Sequence, residues 1–338
     1  MRLSDYLSEK IKILSFLLTV LIVILHANMA SLCTGGISFL QEVMTAEVTR
    51  IAVPLFYLIS GFLFFINYKN TWSDYQRKLG TRTRSLLVPY VLFLLCGCII
   101  MFVLNHAYTI EVFWKIVKNG ILYSPPIFYP LWFLRDLYIM SLLAPIVYWI
   151  IRKVPILLII PIIVWALGKN PFIFPTAEAM LFFSVGAFFT TKVKWLEKTA
   201  HEGAWSCFFL WIFLCFFNCY VSEKVLTLPY ATHCVILLLG IYAVWILYDK
   251  LYSRFSVGIK FATIYKYSFF IYLLHEPILT ILKKIGLFVL GNSSWSIGII
   301  YIFASILTIL IVYGIGLGLN TYCPKALAVI TGGRTRRR

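Results

Sequence analysis

Charge is what this sequence has least of. Only 13% of its 338 residues are Asp, Glu, Lys or Arg, and acids are outnumbered by bases 13 to 30. A chain this poor in charge and 61% hydrophobic cannot cover its apolar surface in water, which excludes a soluble globular domain. Metal and redox motifs are missing too. The eight cysteines (Cys33, Cys96, Cys98, Cys207, Cys215, Cys219, Cys234, Cys323) form no CxxC pair and sit mostly inside apolar runs, so they read as core packing with no metal site. The absence of G-x-S-x-G removes nucleophile-elbow chemistry, and the absence of a Walker A sequence removes nucleotide-driven transport. No connection exceeds about 25 residues, so no soluble domain is expected. The chain 1–338 reads as one membrane-embedded domain with a basic tail from about residue 320.

What the chain does have is ten apolar segments: 13–32, 51–67, 86–104, 131–151, 154–168, 176–191, 204–221, 230–249, 263–282 and 297–319. At about 1.5 Å per residue, most are long enough to cross a hydrocarbon core of about 30 Å. The fifth and sixth are the weakest, because Pro155 and Pro161 interrupt one and Pro171 and Pro175 crowd the turn between them. The net charge of +17 would suggest nucleic acid in a soluble protein, but here its distribution speaks of topology. With the N-terminus in the cytoplasm, 22 of the 30 Lys and Arg fall in cytoplasmic connections and 7 on the other side, Arg135 lying inside the fourth segment. That bias predicts ten helices with both termini cytoplasmic, an all-α polytopic membrane protein. The first segment imitates a signal peptide, but its run is too long and no A-x-A site follows, so it is expected to stay. The tail GGRTRRR reads as an anchor on anionic lipid.

Ionisable residues at membrane depth are costly and normally face a bundle interior or a wet cavity, so each is a site candidate. His26 is the one titratable side chain in the run 13–33 and lies roughly 20 Å beyond Lys12. Arg135 and Asp136, in WFLRDL, fall at a similar height in the fourth segment. His275 lies roughly 13 Å beyond Lys266 in the ninth, where Pro277 loosens the local helix. Each has a plainer reading: an interfacial histidine, a self-neutralising pair beside the belt residue Trp132, and a packing hydrogen bond. Gly314 and Gly318 form a GxxxG that reads as a close helix contact. The stretch 69–84 joins five basic residues to Trp72 and Tyr75, with Tyr68 just before it. It reads either as positive-inside bias with interfacial aromatics or as a cradle for a phosphorylated carrier.

The order and spacing of five apolar motifs carry a resemblance. They are LIVILH ending at His26, AVPLFYLISGFLFF (52–65), RTRSLLVPY (82–90), PLWFLRDL (130–137) and YSFFIYLLHEPIL (267–279). Together they resemble the acyltransferase 3 family of membrane acyltransferases, whose members modify envelope sugars and related acceptors. The resemblance implies ten core helices, a catalytic histidine at His26, and an acyl-CoA donor reached from the cytoplasm. It also implies a bacterial inner-membrane location. Two positions depart from the family pattern. Where many members carry Arg eleven residues before the histidine this chain has Ser15, with Lys10 and Lys12 the nearest cations. Where many carry Arg-x-x-Arg, Arg82 is followed at that spacing by Ser85, with Arg84 alongside. No Asp follows His26 at the His-x4-Asp spacing of soluble glycerolipid acyltransferases, since that position is Ser31.

The expected reaction moves an acyl group, acetyl by default, from CoA to a hydroxyl of an envelope carbohydrate or lipid-linked sugar. Lys78, Arg82 and Arg84 are the expected donor contacts. His26 is the expected general base or transient acyl carrier, with Arg135 or His275 polarising the thioester carbonyl and Asp136 orienting one of them. The rival reading is a transporter or flippase for an envelope glycan or small solute, using the same buried groups as a substrate or proton path.

Overall fold

The computed structural model describes residues 3–104, 109–170, 172–197, 202–224, 229–255 and 264–334. Among them the regular structure is entirely helical: α1 (Asp5–His26), α2 (Gly36–Ala46), α3 (Ala52–Phe65), α4 (Trp72–Arg82), α5 (Val88–Leu104), α6 (Ile110–Leu122), α7 (Trp132–Leu142) and α8 (Ala144–Lys153). There follow α9 (Ile159–Ala166), α10 (Ala177–Phe189), α11 (Ala204–Lys224), α12 (Tyr230–Phe255), α13 (Ser268–Leu290), α14 (Ser294–Tyr322) and α15 (Pro324–Ile330). All ten apolar segments contain helix. Six helical stretches are long and apolar enough to cross a membrane alone, and a seventh is the pair α7–α8, bent by 59°. The chain is a multi-pass membrane protein. Arg2, Lys198, Lys260 and Arg336 to Arg338, counted in the charge bias, lie outside the described residues.

The first helix is not where the apolar run sits. It starts at Asp5, where the Ser4 hydroxyl accepts from the Leu7 amide at 3.2 Å, and it stops at His26. Beyond His26 two amides go to side chains, Ala30 N–H to Asn28 Oδ1 at 2.8 Å and Met29 N–H to Gln41 Oε1 at 2.9 Å. Leu7, Ile11, Leu14, Leu18 and Ile22 recur at helical spacing and bury one stripe in the core. Lys10 is fully buried as well, its ammonium 2.7 Å from Asp249 Oδ1 on α12 and over the Trp245 ring at 4.1 Å. It is therefore part of the bundle and not a free cation before a span.

The closest helix pairing is between α3 and α10. A Cβ on Gly61 would stand 2.1 Å from the Phe183 carbonyl oxygen, and one on Gly186 would stand 2.0 Å from that of Leu58, so each backbone sits in a notch of the other. The GxxxG in α14 does not do this. Nothing approaches Gly314 or Gly318 within 4 Å, whereas Gly316 between them faces Tyr267 and Phe270 at 2.7 and 3.1 Å. The expected contact is thus made by the other face of the helix, because the packed stripe of α14 (Ala304, Thr308, Val312, Gly316) runs through Gly316.

Candidate functional site

α1 ends on His26, and the imidazole meets two other segments there. Its Nδ1 is 2.7 Å from the Tyr129 hydroxyl, and its ring stacks on that of His275 at a centroid distance of 5.4 Å. Glu276, next to His275 on α13, accepts from the Thr280 hydroxyl through Oε1 at 2.9 Å, and its Oε2 is buried without a hydrogen-bond partner among the described residues. With hydrogen on Nδ1, donated to the Tyr129 oxygen, His26 keeps the lone pair of a base at Nε2. Lys283 reaches across from α13 and donates to the His26 carbonyl at 3.0 Å, a cation at the carbonyl end of α1. His275 is fixed more tightly. Its Nδ1 lies 2.7 Å from the Tyr272 carbonyl, which can only accept, so Nδ1 carries hydrogen. Nε2 of the same ring is buried without a hydrogen-bond partner among the described residues.

His26 forms part of the wall of a cavity of about 500 Å³. The other polar groups on it are Arg50, Thr49, Glu178 and His233, and its aromatic walls are Trp132, Phe133, Tyr230 and Tyr272. A smaller adjoining space of about 290 Å³ shares His26, Ala46 and Arg50 and extends the cavity toward Asn28. His233 is held from behind: its Nδ1 is 2.8 Å from Glu47 Oε2, and Asn218 donates to the other oxygen at 2.6 Å. Glu47 is 4% exposed, so this carboxylate is a buried brace and not a solvent group. Among the described residues Arg50 is fixed at one point, where Nε donates to the Thr45 carbonyl at 2.9 Å. A volume of this size, with aromatic walls and a few convergent polar groups, suits a small polar ligand.

A family model described as an acyltransferase domain matches residues 9–315. The chain belongs to the acyltransferase 3 family. No curated protein and no solved structure matches it. As a member of this family the protein is a membrane acyltransferase, and its motifs can be placed on the fold. LIVILH delivers His26, and YSFFIYLLHEPIL delivers Tyr272, His275 and Glu276 to the same point. The family motif PLWFLRDL behaves otherwise.

Arg135 and Asp136 do not line the cavity. Arg135 Nη1 donates to the carbonyls of Ile121, Leu122 and Tyr123 at 2.7, 3.2 and 3.1 Å, and Nε and Nη2 both donate to Asp136 Oδ1 at 3.2 Å. Its guanidinium also covers the Phe174 ring at 4.5 Å. Asp136 Oδ2 accepts from the Thr176 amide at 3.0 Å. The pair therefore closes the carbonyl end of α6 and holds the turn before α10. In this structure the Arg135 donors go to backbone carbonyls and to Asp136 and not to the cavity. What the motif gives the cavity is Pro130, Trp132 and Phe133.

The expected donor contacts divide in the same way. Lys78 donates to the Phe64 and Ile66 carbonyls at 2.6 and 3.0 Å, closing the end of α3, so its charge is committed to the helix. Arg82 gives one N–H to the Ser60 carbonyl at 2.9 Å and is in no ion pair among the described residues. Arg84 is exposed. Sequence reasoning missed Tyr129, Arg50, Glu178, Glu276, Lys283 and the pair Glu47–His233. The signal for His233 was the one used for His26, a titratable residue within an apolar segment, and Glu276 stood directly beside His275.

Proposed function

We propose that this acyltransferase moves an acyl group from CoA, bound at Arg82 and Arg84 on the cytoplasmic side, to a hydroxyl of a carbohydrate or lipid-linked sugar held in the cavity at His26. The single observation that carries the reading is the imidazole at the cavity wall, tied through Nδ1 and leaving Nε2 for the ligand. His26 Nε2 takes the hydroxyl proton as the oxygen attacks the thioester carbonyl. The tetrahedral intermediate collapses with cleavage of the C–S bond, and the leaving thiolate receives the proton from His26.

Reach supports this division. Arg82 touches the Ser60 carbonyl, ten residues along the chain from Arg50, or about 15 Å at helical rise. An extended pantetheine arm spans roughly 20 Å by chain geometry, enough for a thioester to travel that far. Carbonyl polarisation falls to other groups than Arg135. His275 with hydrogen on Nδ1 offers a lone pair at Nε2, so it polarises a carbonyl only as imidazolium, and the fixed cations beside His26 are Lys283, on its carbonyl, and Arg50, on the cavity wall. Acetyl is the default acyl group, and the bacterial inner membrane is the location that the family implies.

The test is transfer of labelled acetyl from acetyl-CoA to cell-envelope glycan, measured with protein in lipid. His26→Gln should abolish transfer while leaving CoA binding and folding intact. Normal rates in this variant would remove the base from the scheme. Incubation without acceptor separates direct attack from an acyl-His26 intermediate, since only the latter leaves label on the protein.

A further inference from the structure

The family match ends at residue 315, yet the chain beyond it is built into the fold next to Arg82. α15 buries Leu327 and ends in a tight turn, with Gly332 N–H bonding to the Val329 carbonyl at 3.1 Å and Gly333 N–H to that of Ala328 at 2.6 Å. Gly332 has φ +62°, and a Cβ there would lie 2.4 Å from Ser85 Cα and 2.5 Å from the Arg84 carbonyl oxygen. Only glycine fits, on both counts. The turn is therefore seated on the π-helical stretch Thr83–Leu87 that follows Arg82.

That seat fixes where Arg334 goes. Its guanidinium lies 3.5 Å over the Phe269 ring, and the contact of Gly332, two residues before it, with Ser85 and the Arg84 carbonyl sets it beside the stretch that directly follows Arg82. Neither arginine belongs to an ion pair among the described residues. The acids nearest in the chain are engaged elsewhere: Asp74 with Arg77 and with the Lys69 amide, and Glu276 with Thr280. Two guanidiniums from distant parts of the chain, one held by a backbone carbonyl and one by a ring, with no ion pair among the described residues, lack a counter-anion. Planar forks of this kind bind phosphate oxygens in pairs.

We infer that Arg82 and Arg334 together form a phosphate-binding site, completed by the C-terminal turn. The phosphate is that of the CoA donor or of an anionic lipid headgroup. For the donor, the inference rests on the function proposed above. Its position suits that source: Phe269 precedes His275 by six residues on α13, about 9 Å of helical rise, so a phosphate gripped there leaves the thioester within reach of the histidines.

The test uses the full chain in nanodiscs of neutral phosphatidylcholine, titrated with CoA, and a parallel series counting phosphatidylglycerol retained in mixed discs. Arg334→Ala should weaken CoA binding about tenfold, Arg334→Lys should restore only part of it because the fork is lost, and Lys325→Ala should change nothing. Arg82→Ala and Arg334→Ala combined should cost less than the sum of the two, as expected for one shared ligand. Loss of retained phosphatidylglycerol with CoA binding unchanged would assign the site to lipid. If wild-type protein binds no CoA while Arg334→Ala still loses lipid, the donor assignment falls and the phosphate site stands. Arg334→Ala that matches wild type in both series overturns the site, and if Arg82→Ala alone weakens CoA binding, the proposed donor contact survives without it.

Discussion

His26 owes its orientation to the tyrosine at its Nδ1, and this makes Tyr129 testable as a positioning residue. Tyr129→Phe removes the hydroxyl and keeps the ring that meets the imidazole edge to face at 4.9 Å. The expected outcome is a fall in kcat of about 10 to 100-fold with donor KM unchanged, read from initial rates, since the base keeps its place in the wall but loses its fixed tautomer. An unchanged kcat would place tautomer control elsewhere. Arg135 belongs to a different kind of residue. Arg135→Ala strands the fully buried Asp136 and three helix-end carbonyls, so about 3 to 5 kcal/mol of stability should go, seen as a lower thermal midpoint in detergent. If the residue is structural, the double change Arg135→Met with Asp136→Leu should recover much of that stability, an outcome a role in chemistry does not anticipate.

At the scale of elements, the sequence marked where helices would be far better than where they would touch. Hydropathy placed helix in all ten segments, because an apolar run in lipid has to satisfy its backbone internally. Boundaries followed local hydrogen bonds that hydropathy does not encode: Ser4 starts α1 ahead of its apolar run, and Asn28 and Gln41 take up amides after it ends. Glycine contacts depend on rotation about the helix axis, which a motif alone does not set. Gly186→Ala should therefore destabilise the bundle by more than about 3 kcal/mol, since its Cβ would meet a backbone carbonyl oxygen at 2.0 Å. Gly314→Ala should be neutral or slightly stabilising in the same thermal assay, because nothing lies within 4 Å and alanine is the better helix former. Equal losses from the two substitutions would contradict this packing.

Over the whole molecule, the cavity draws on residues more than 200 positions apart: α1 supplies His26, the turn before α3 supplies Arg50, α10 supplies Glu178 and α12 supplies His233. His233→Gln should raise the KM for the acceptor about tenfold and leave CoA binding unchanged, because the braced imidazole faces the cavity and Arg82 lies elsewhere. A change in CoA binding with acceptor KM unaltered would reverse that assignment. A carrier built from paired broken helices in two corresponding halves finds little support, since the described residues hold one bent pair, α7–α8. The charge bias of the connections predicts cytoplasmic termini, so Ser4→Cys and Lys325→Cys, in a background lacking native cysteines, should react with an impermeant maleimide only after cells are opened. Labelling of either in intact cells would invert the topology.

Composition alone determined that this chain lives in a membrane as helices, since 61% hydrophobic residues with 13% charge leave no other way to satisfy backbone and solvent. It also singled out His26 and His275, because a titratable group in an apolar run is costly wherever it ends up. Which charged groups line the cavity was decided only by tertiary packing. Arg135, Asp136 and Lys78 look as available in sequence as Arg50 or Glu178, but in the bundle they bind helix-end groups away from the cavity, whereas Arg50 and Glu178 lie on its wall. An unpaired carbonyl in lipid attracts the nearest donor, and its distance is a property of the assembled bundle.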